Sequence, residues 1–305
     1  MNRESNHQKP GRQNLGLYLG LLTHKNSKFP KAPFDDLFDQ ASDIGKQLSF
    51  DVSSFISDEN TYSVEDVTLV DLLLAKVYEP LLRRSWLCYL TNTKIRRFNR
   101  NNLRIAIGCF RYYLHLFNSE FRNSERIRYS RILNINAGYM CLLDNFLISD
   151  NEFGLIFEDD ASFIPSSELV NEIFKLIAHA DSLEYKTFFI DVSDSFSFKE
   201  LGVEHLIENE IGSEARQNFY GSTIRKTSKP FSNTTCAVVY NREMALYLLQ
   251  GITKLSLSKG KRITPMDWSL NLLLLNVAEV KTSVQSFHLD PGIFPQSSLQ
   301  HIKHR

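Results

Sequence analysis

Three consecutive carboxylates, Glu158, Asp159 and Asp160, close the apolar run Phe153-Gly-Leu-Ile-Phe157. Acids crowded at the end of a buried segment repel one another and lose hydration, so they need a cation, a basic neighbour or a proton. A hard divalent ion meets that need. Mg²⁺ or Mn²⁺ prefers oxygen ligands, takes one or two protein carboxylates, and completes its shell with water and phosphate oxygens. Side chains alternate along a strand, which sends Glu158 and Asp160 to one side and Asp159 to the other. Glu158 and Asp160 are therefore the expected metal ligands, and the chemistry expected is the handling of a diphosphate. The plainer alternative is a solvated turn whose acids cap the helix after Pro165.

These side chains need a scaffold, and the pattern around them predicts one. Leu15 to Leu22 reads as a buried strand, Pro33 to Lys46 as an amphipathic helix stopped at Gly45, and Ser49 to Ile56 as a second strand. The stretch from Val64 to about Leu116 turns helical, and a further helix is expected over Asn136 to Ile148. Gly154 to Phe157 follows as a short strand of the kind found inside parallel sheets. A helix opened by Ser166 or Ser167, a strand over Thr187 to Val192 and a looser polar region to about Ser232 come next. Thr234 to Tyr240 reads as a strand, and Asn241 is placed to cap a helix over Arg242 to Leu249. Pro265 sits at a permitted first-turn position of a leucine-rich helix. A strand near Val280 to Phe287 and a loop from His288 to Pro295 close the pattern. In an open α/β sheet, ligands bind outside the carboxyl ends of the strands, where the acidic trio would stand.

Composition narrows the classes further. Across 305 residues, 35 Lys and Arg balance 35 Asp and Glu, which argues against a nucleic-acid partner held by overall positive charge. Charge is local instead. Residues 83 to 131 carry twelve Lys and Arg, Arg96, Arg97 and Arg100 among them, against Glu120 and Glu125 alone, whereas residues 144 to 184 hold ten acids against Lys175. The basic block suits an anionic membrane or a phosphorylated substrate, or is simply a solvated helical surface. Cys88, Cys109, Cys141 and Cys236 show no zinc spacing and suit a reducing compartment. No GxGxxG or GxxxxGK[ST] is present, so dinucleotide and P-loop chemistry have no support. Residues 1 to 14 read as a flexible tail. The apolar stretch behind them is too short for a secretory signal and lacks a small-residue cleavage site. Residues 15 to 305 are expected to form one domain, with a basic helical insertion over about 64 to 131.

The segment Leu155-Ile-Phe-Glu-Asp-Asp-Ala161 resembles the strand-plus-EDD signature of the GT-A glycosyltransferases, particularly glycosyltransferase family 25, the lipooligosaccharide and procollagen galactosyltransferase type. Three later segments are similar to that family in the same order: Thr234-Thr-Cys-Ala-Val-Val-Tyr-Asn241, Thr264-Pro-Met-Asp-Trp268, and His288 to Ser298 with Pro295-Gln-Ser-Ser. The likeness covers about residues 134 to 298. Towards the beginning, where family members carry Asn-Leu and an arginine pattern, this chain has Leu21-Leu-Thr-His24.

The resemblance implies an α/β, GT-A (Rossmann-like) mixed sheet flanked by helices. It also implies a metal-dependent enzyme using Mn²⁺ or Mg²⁺ to move a sugar from a nucleotide-sugar donor, commonly with inversion, onto a hydroxyl of a surface glycan or glycolipid acceptor. Asp159, Thr23 and His24 would face the donor, and Glu158 and Asp160 the metal. His288, reaching from the final loop, would complete the metal shell; a lone histidine is otherwise structural. Asp267 would act as general base, or merely complement the dipole of its helix. Trp268 could stack on the sugar, with Arg96, Arg97 and Arg100 toward the acceptor or membrane. Such an enzyme is expected in the cytoplasm, peripheral on the inner face of the membrane. Two other classes remain open: a metal-dependent phosphoester hydrolase drawing on Asp191 and Asp194, and a binding protein of the same shape without turnover.

Overall fold

The computed structural model describes residues 14–24, 27–58, 60–91, 100–208, 218–280 and 283–299. The opening unit is β1 (Leu15–Leu22), α1 (Ala32–Leu48) and β2 (Phe50–Ser57). A helical layer follows, made of α2 (Leu69–Thr91), α3 (Arg100–His115) and α4 (Ser119–Ile148). The chain then returns through β3 (Phe153–Glu158), α5 (Ser167–Asp181), β4 (Thr187–Asp191), β5 (Ser193–Asp194), α6 (Phe198–Leu201), β6 (Asn218–Phe219) and β7 (Ser222–Lys226). It finishes with β8 (Ala237–Asn241), α7 (Arg242–Ser256), α8 (Met266–Val280), β9 (Val284–Asp290) and β10 (Phe294–Pro295).

Eight strands form one mixed sheet in the order β2-β1-β3-β8-β4-β9-β7-β6. β1 runs parallel to both β2 and β3, and β4 runs parallel to β9; β8 runs against β3 and β4. The α/β, Rossmann-like mixed sheet with flanking helices is thus the fold of this chain. From β1 the chain steps outward to β2 and later returns to the other flank of β1 as β3. That reversal of direction falls at the carboxyl ends of β1 and β3, and sheets of this kind hold ligands at such a point.

Both sheet faces are covered. Leu17, Leu19, Leu21, Leu155 and Phe157 pack one face against Phe34, Leu37 and Phe38 of α1 and Ile173 and Phe174 of α5. Tyr18, Ile156, Val238 and Tyr240 meet Tyr139, Leu142 and Phe146 of α4, Met244 and Leu248 of α7, and Leu270 and Leu274 of α8 on the other. A third cluster fills the helical layer, joining Leu72 and Ala75 to Tyr112, Leu116, Tyr129, Leu133 and Ile263. α4 spans both environments: its first half builds the helical layer and its second half covers the sheet.

Several expectations need correcting. The helix expected from Asn136 is the end of a 30-residue helix, begun where Asn118 accepts a hydrogen bond from the Phe121 amide; no breaker lies between. Gly45 does not end α1. It lets β2 and α5 approach, since an added Cβ would stand 2.7 Å from Val52 and 3.4 Å from Phe174, and the helix stops instead at Ser49, left-handed at φ 61°. The looser region before Ser232 contains β7, paired antiparallel with β9. His288 lies within β9 rather than in the closing loop, because β4 extends its pairing as far as Asp191 opposite His288. The expected tail, residues 1–13 of it, lies outside the described residues, as do Arg96 and Arg97. Among the described residues, no helix is long and apolar enough to cross a membrane.

Candidate functional site

The acidic trio stands at the mouth of β3, where that strand meets β1. Thr23, buried just past the end of β1, donates its hydroxyl to Asp159 Oδ2 at 3.0 Å, so the two parallel strands are tied at the reversal point itself. His24 follows it, exposed. Asp160 faces a different element. β10 pairs with β5, which draws the closing segment across the end of β4 and over the acidic turn. Gln296 Nε2 and Ser298 Oγ then donate to Asp160 Oδ2 at 2.9 and 2.6 Å, while the Ser297 amide donates to the Asp160 carbonyl at 2.8 Å. The other carboxyl oxygen of Asp160, Oδ1, is buried with no geometric hydrogen-bond partner among the described residues, the Cys236 thiol lying against the same carboxylate.

Glu158 takes a third direction. It accepts a short hydrogen bond from Thr235 Oγ1 and lines a cavity of about 230 Å³ shared with Thr234, Thr235, Pro265, Asp267 and Gln296. Burial pushes its carboxyl up to about 8; the Thr235 bond opposes this, while Asp160, Asp267 and Asp159 push it further up. A carboxyl that high is a group short of positive charge. The neighbouring Cys236 thiol, deep behind the turn, is driven far above the ordinary thiol range by burial and by the charges of Asp160, Glu158 and Asp191. It stays protonated and is not a nucleophile.

Asp267 occupies the first turn of α8 and stands in the wall between two cavities. The second, about 170 Å³, is lined by Glu79, Arg83, Arg128, Tyr129, Ile263 and Trp268 as well as Asp267. Burial raises the Asp267 carboxyl above its usual range, although the Trp268 amide, its own amide and Arg83 act in the other direction. The Arg83 guanidinium lies 5.3 Å from the Trp268 ring centroid and pairs with Glu79 at 2.8 Å. One face of the indole therefore already carries a cation.

The position of Asp267 depends on residues that sequence reasoning missed. Asp71 of α2 has no exposed surface and binds Arg262 through two contacts, Nη2 to Oδ2 at 2.6 Å and Nε to Oδ1 at 3.0 Å. The amides of Gly260 and Thr68 and the Thr68 hydroxyl complete its shell. Gly260 meets this bond in a left-handed conformation, φ 79°, that suits glycine. Asn136 of α4 donates to the carbonyls of Arg262 and Thr264 at 3.2 and 2.9 Å. The helical layer thus clamps the loop that delivers Pro265, Asp267 and Trp268 to the acidic turn.

His288 is placed elsewhere. It is 4% exposed, stacked on Phe231 at 4.4 Å between centroids, and lines a third cavity with Ser193, Asn233 and Pro291. Its Nδ1 stands 3.9 Å from Asp191 Oδ2, beyond hydrogen-bond reach. Burial holds the ring down to about 3 and the Asp191 carboxyl up to about 6, so at neutral pH the imidazole is uncharged and the two do not form an ion pair. Asp191 is engaged locally, accepting from Ser193 Oγ, the Ser193 amide at 3.1 Å and the Asn233 amide at 3.0 Å. Among the described residues, no three His, Cys, Asp or Glu side chains are grouped to hold a metal ion, so His288 does not join Glu158 and Asp160 in one shell. The side chains fit a more open site. A divalent ion that takes one or two carboxylates, with water and phosphate supplying the rest, suits Oδ1 of Asp160 and the raised carboxyl of Glu158.

The sequence matches no protein-family model and no curated protein.

Proposed function

We propose that this chain is a glycosyltransferase that uses Mn²⁺ or Mg²⁺ to move a sugar from a nucleotide-diphosphate donor to an acceptor hydroxyl. The observation that carries the reading is the shared cavity. It brings Glu158, from the acidic turn at the reversal point of the sheet, into the electrostatic reach of Asp267 on a different element. Glu158 and Asp160 would hold the cation, and Asp159, fixed by Thr23 with His24 alongside, faces the donor. When bound, the metal neutralises charge developing on the leaving diphosphate. Asp267 takes the proton of the acceptor hydroxyl; its raised carboxyl makes it a better base than a solvent-exposed aspartate. The cavity on its far side, with Trp268 and Arg83, receives the acceptor glycan or glycolipid.

Thermal-shift measurement with a panel of nucleotide sugars, with and without Mn²⁺, tests the first half of this reading. One donor should stabilise the protein only when metal is present, and loss of that shift in Asp160→Asn should follow. Product analysis tests the second half. Asp267→Asn should lower sugar transfer by about 10²- to 10⁴-fold while the donor-dependent thermal shift survives. Metal-independent melting with every donor would overturn the proposal, and release of free phosphate without sugar transfer would favour a hydrolase.

A further inference from the structure

α3 carries two apolar faces, and the protein covers one of them. Tyr112, and Leu116 just past its end, are buried in the cluster of the helical layer, while Cys109 Sγ and the Tyr113 hydroxyl donate to backbone carbonyls of α2 at 3.3 and 3.1 Å. On the opposite side, Leu103, Ile107, Phe110 and Leu114 recur at spacings of four and three. At 100° per residue they fall within an arc of roughly 60°. All four are exposed, Phe110 at 62%, and Phe117 in the turn beyond adds a further apolar side chain at 82%. Single exposed apolar residues are ordinary, but a continuous stripe of this kind marks a contact surface.

Charge identifies what covers it. α3 contains no Asp or Glu, and Arg104 and Arg111, both exposed, line one edge of the stripe. The surrounding stretch, residues 83 to 131, holds twelve cationic side chains against two acids. A second copy of the chain would bring the same acid-free helix to the contact, and the stripe is shorter than the roughly three to four heptads that sustain a coiled coil. An anionic bilayer supplies both halves of the complement, apolar depth for the stripe and phosphate for the arginines.

We infer that α3 lies in the plane of an anionic lipid surface, with Phe110 and Phe117 in the acyl boundary and Arg104 and Arg111 at the headgroups. The cluster beneath α3 includes Tyr129 and Ile263, which also line the cavity beside Asp267. The docked layer therefore backs onto that cavity, which suits an acceptor carried by a lipid. The surface itself is independent of the enzymatic reading.

Flotation of the full chain with two vesicle types separates the outcomes: phosphatidylcholine alone, and phosphatidylcholine containing phosphatidylglycerol. The chain should float with the anionic vesicles only, and less so as salt rises. The double variant Arg104→Gln/Arg111→Gln should bind roughly thirty-fold more weakly, and Phe110→Glu should not float. A Phe110→Trp variant should show blue-shifted emission on anionic vesicles. All three positions are exposed, so circular dichroism and melting of the variants should match the parent. Equal binding to both vesicle types, or no binding to either, would overturn the inference. So would concentration-dependent dimerisation lost in Phe110→Glu, which would assign the stripe to a second copy. Failure of sugar transfer would leave these vesicle results unchanged.

Discussion

Asp71 and Glu158 are both carboxylates set among apolar packing, and they answer burial in opposite ways. Burial raises the proton affinity of each. At Asp71 the Arg262 guanidinium, the Thr68 hydroxyl and two backbone amides override that effect and hold the carboxyl far below its usual range. At Glu158 a single hydroxyl opposes burial and three neighbouring acids reinforce it, so the carboxyl is pushed up to about 8. The first arrangement is complete in itself and fastens α2 to the loop before α8. The second has no salt-bridge partner among the described residues. One carboxylate is fully satisfied and the other lines a cavity at the end of β3 with a hydroxyl set against its burial, so the holding role of the first is separate from the binding role proposed for the second.

The contrast can be broken from the Asp71 side first. Asp71→Asn should cost about 4 kcal/mol in urea unfolding, because it leaves a largely covered guanidinium without its charge partner. A loss under 1 kcal/mol would mean the pair does not hold the loop. The next effect lies at Glu158 and depends on pH. Its folded carboxyl keeps a proton that the unfolded chain gives up near the ordinary value of 4.5, so stability falls as pH rises towards about 8. Asp191, raised to about 6, acts in the same direction at lower pH, and His288, lowered to about 3, acts oppositely below the ordinary histidine value of 6.5. Between about pH 6.5 and 8, Glu158 therefore dominates these three. Glu158→Gln should flatten the stability profile in that interval and stabilise the protein by about 2 kcal/mol above it, after allowance for water reaching the group through the cavity. An unchanged slope would show that the carboxyl is already ionised at neutral pH.

Much of the sheet could be read from periodicity, because β1, β3 and β8 are short apolar runs between turn signals and α1 and α5 carry clear one-sided stripes. Asn241 could be read as a cap, and its side chain does accept from the Met244 amide. The acidic trio was visible for the same reason: three charges against an apolar strand stand out in one dimension. Its directions were not. Strand alternation ends where β3 ends, and the partners that turn Asp159 towards Thr23 and Asp160 towards Gln296 and Ser298 lie 136 to 138 residues away. The Asp71–Arg262 clamp spans 191 residues and leaves no local pattern, since an aspartate in a first helical turn and an arginine in a loop are each unremarked alone. The position of His288 depended on how far β9 continues, and that is settled by pairing with β4 rather than by the residues themselves.

The smallest expected effect sharpens the same contrast. Asn136 sits on the half of α4 that turns from the helical layer towards the sheet, and its amide donates to the Arg262 and Thr264 carbonyls on either side of Ile263. Asn136→Ala would remove the side-chain donor to the Arg262 carbonyl and leave the Thr264 carbonyl to the Ser269 hydroxyl alone, in a largely buried setting, at about 1 kcal/mol. The Asp71 pair would survive, so the loop should stay attached but hold Asp267 less firmly. In the proposed reaction, that predicts an unchanged metal-dependent thermal shift with the donor and a reduced turnover, since the donor side rests on Thr23 and Asp159 and the base rests on this loop. A weakened donor shift in Asn136→Ala would instead show that the helical layer supports both sides of the cavity, and that holding and binding are less separate than Asp71 and Glu158 suggest.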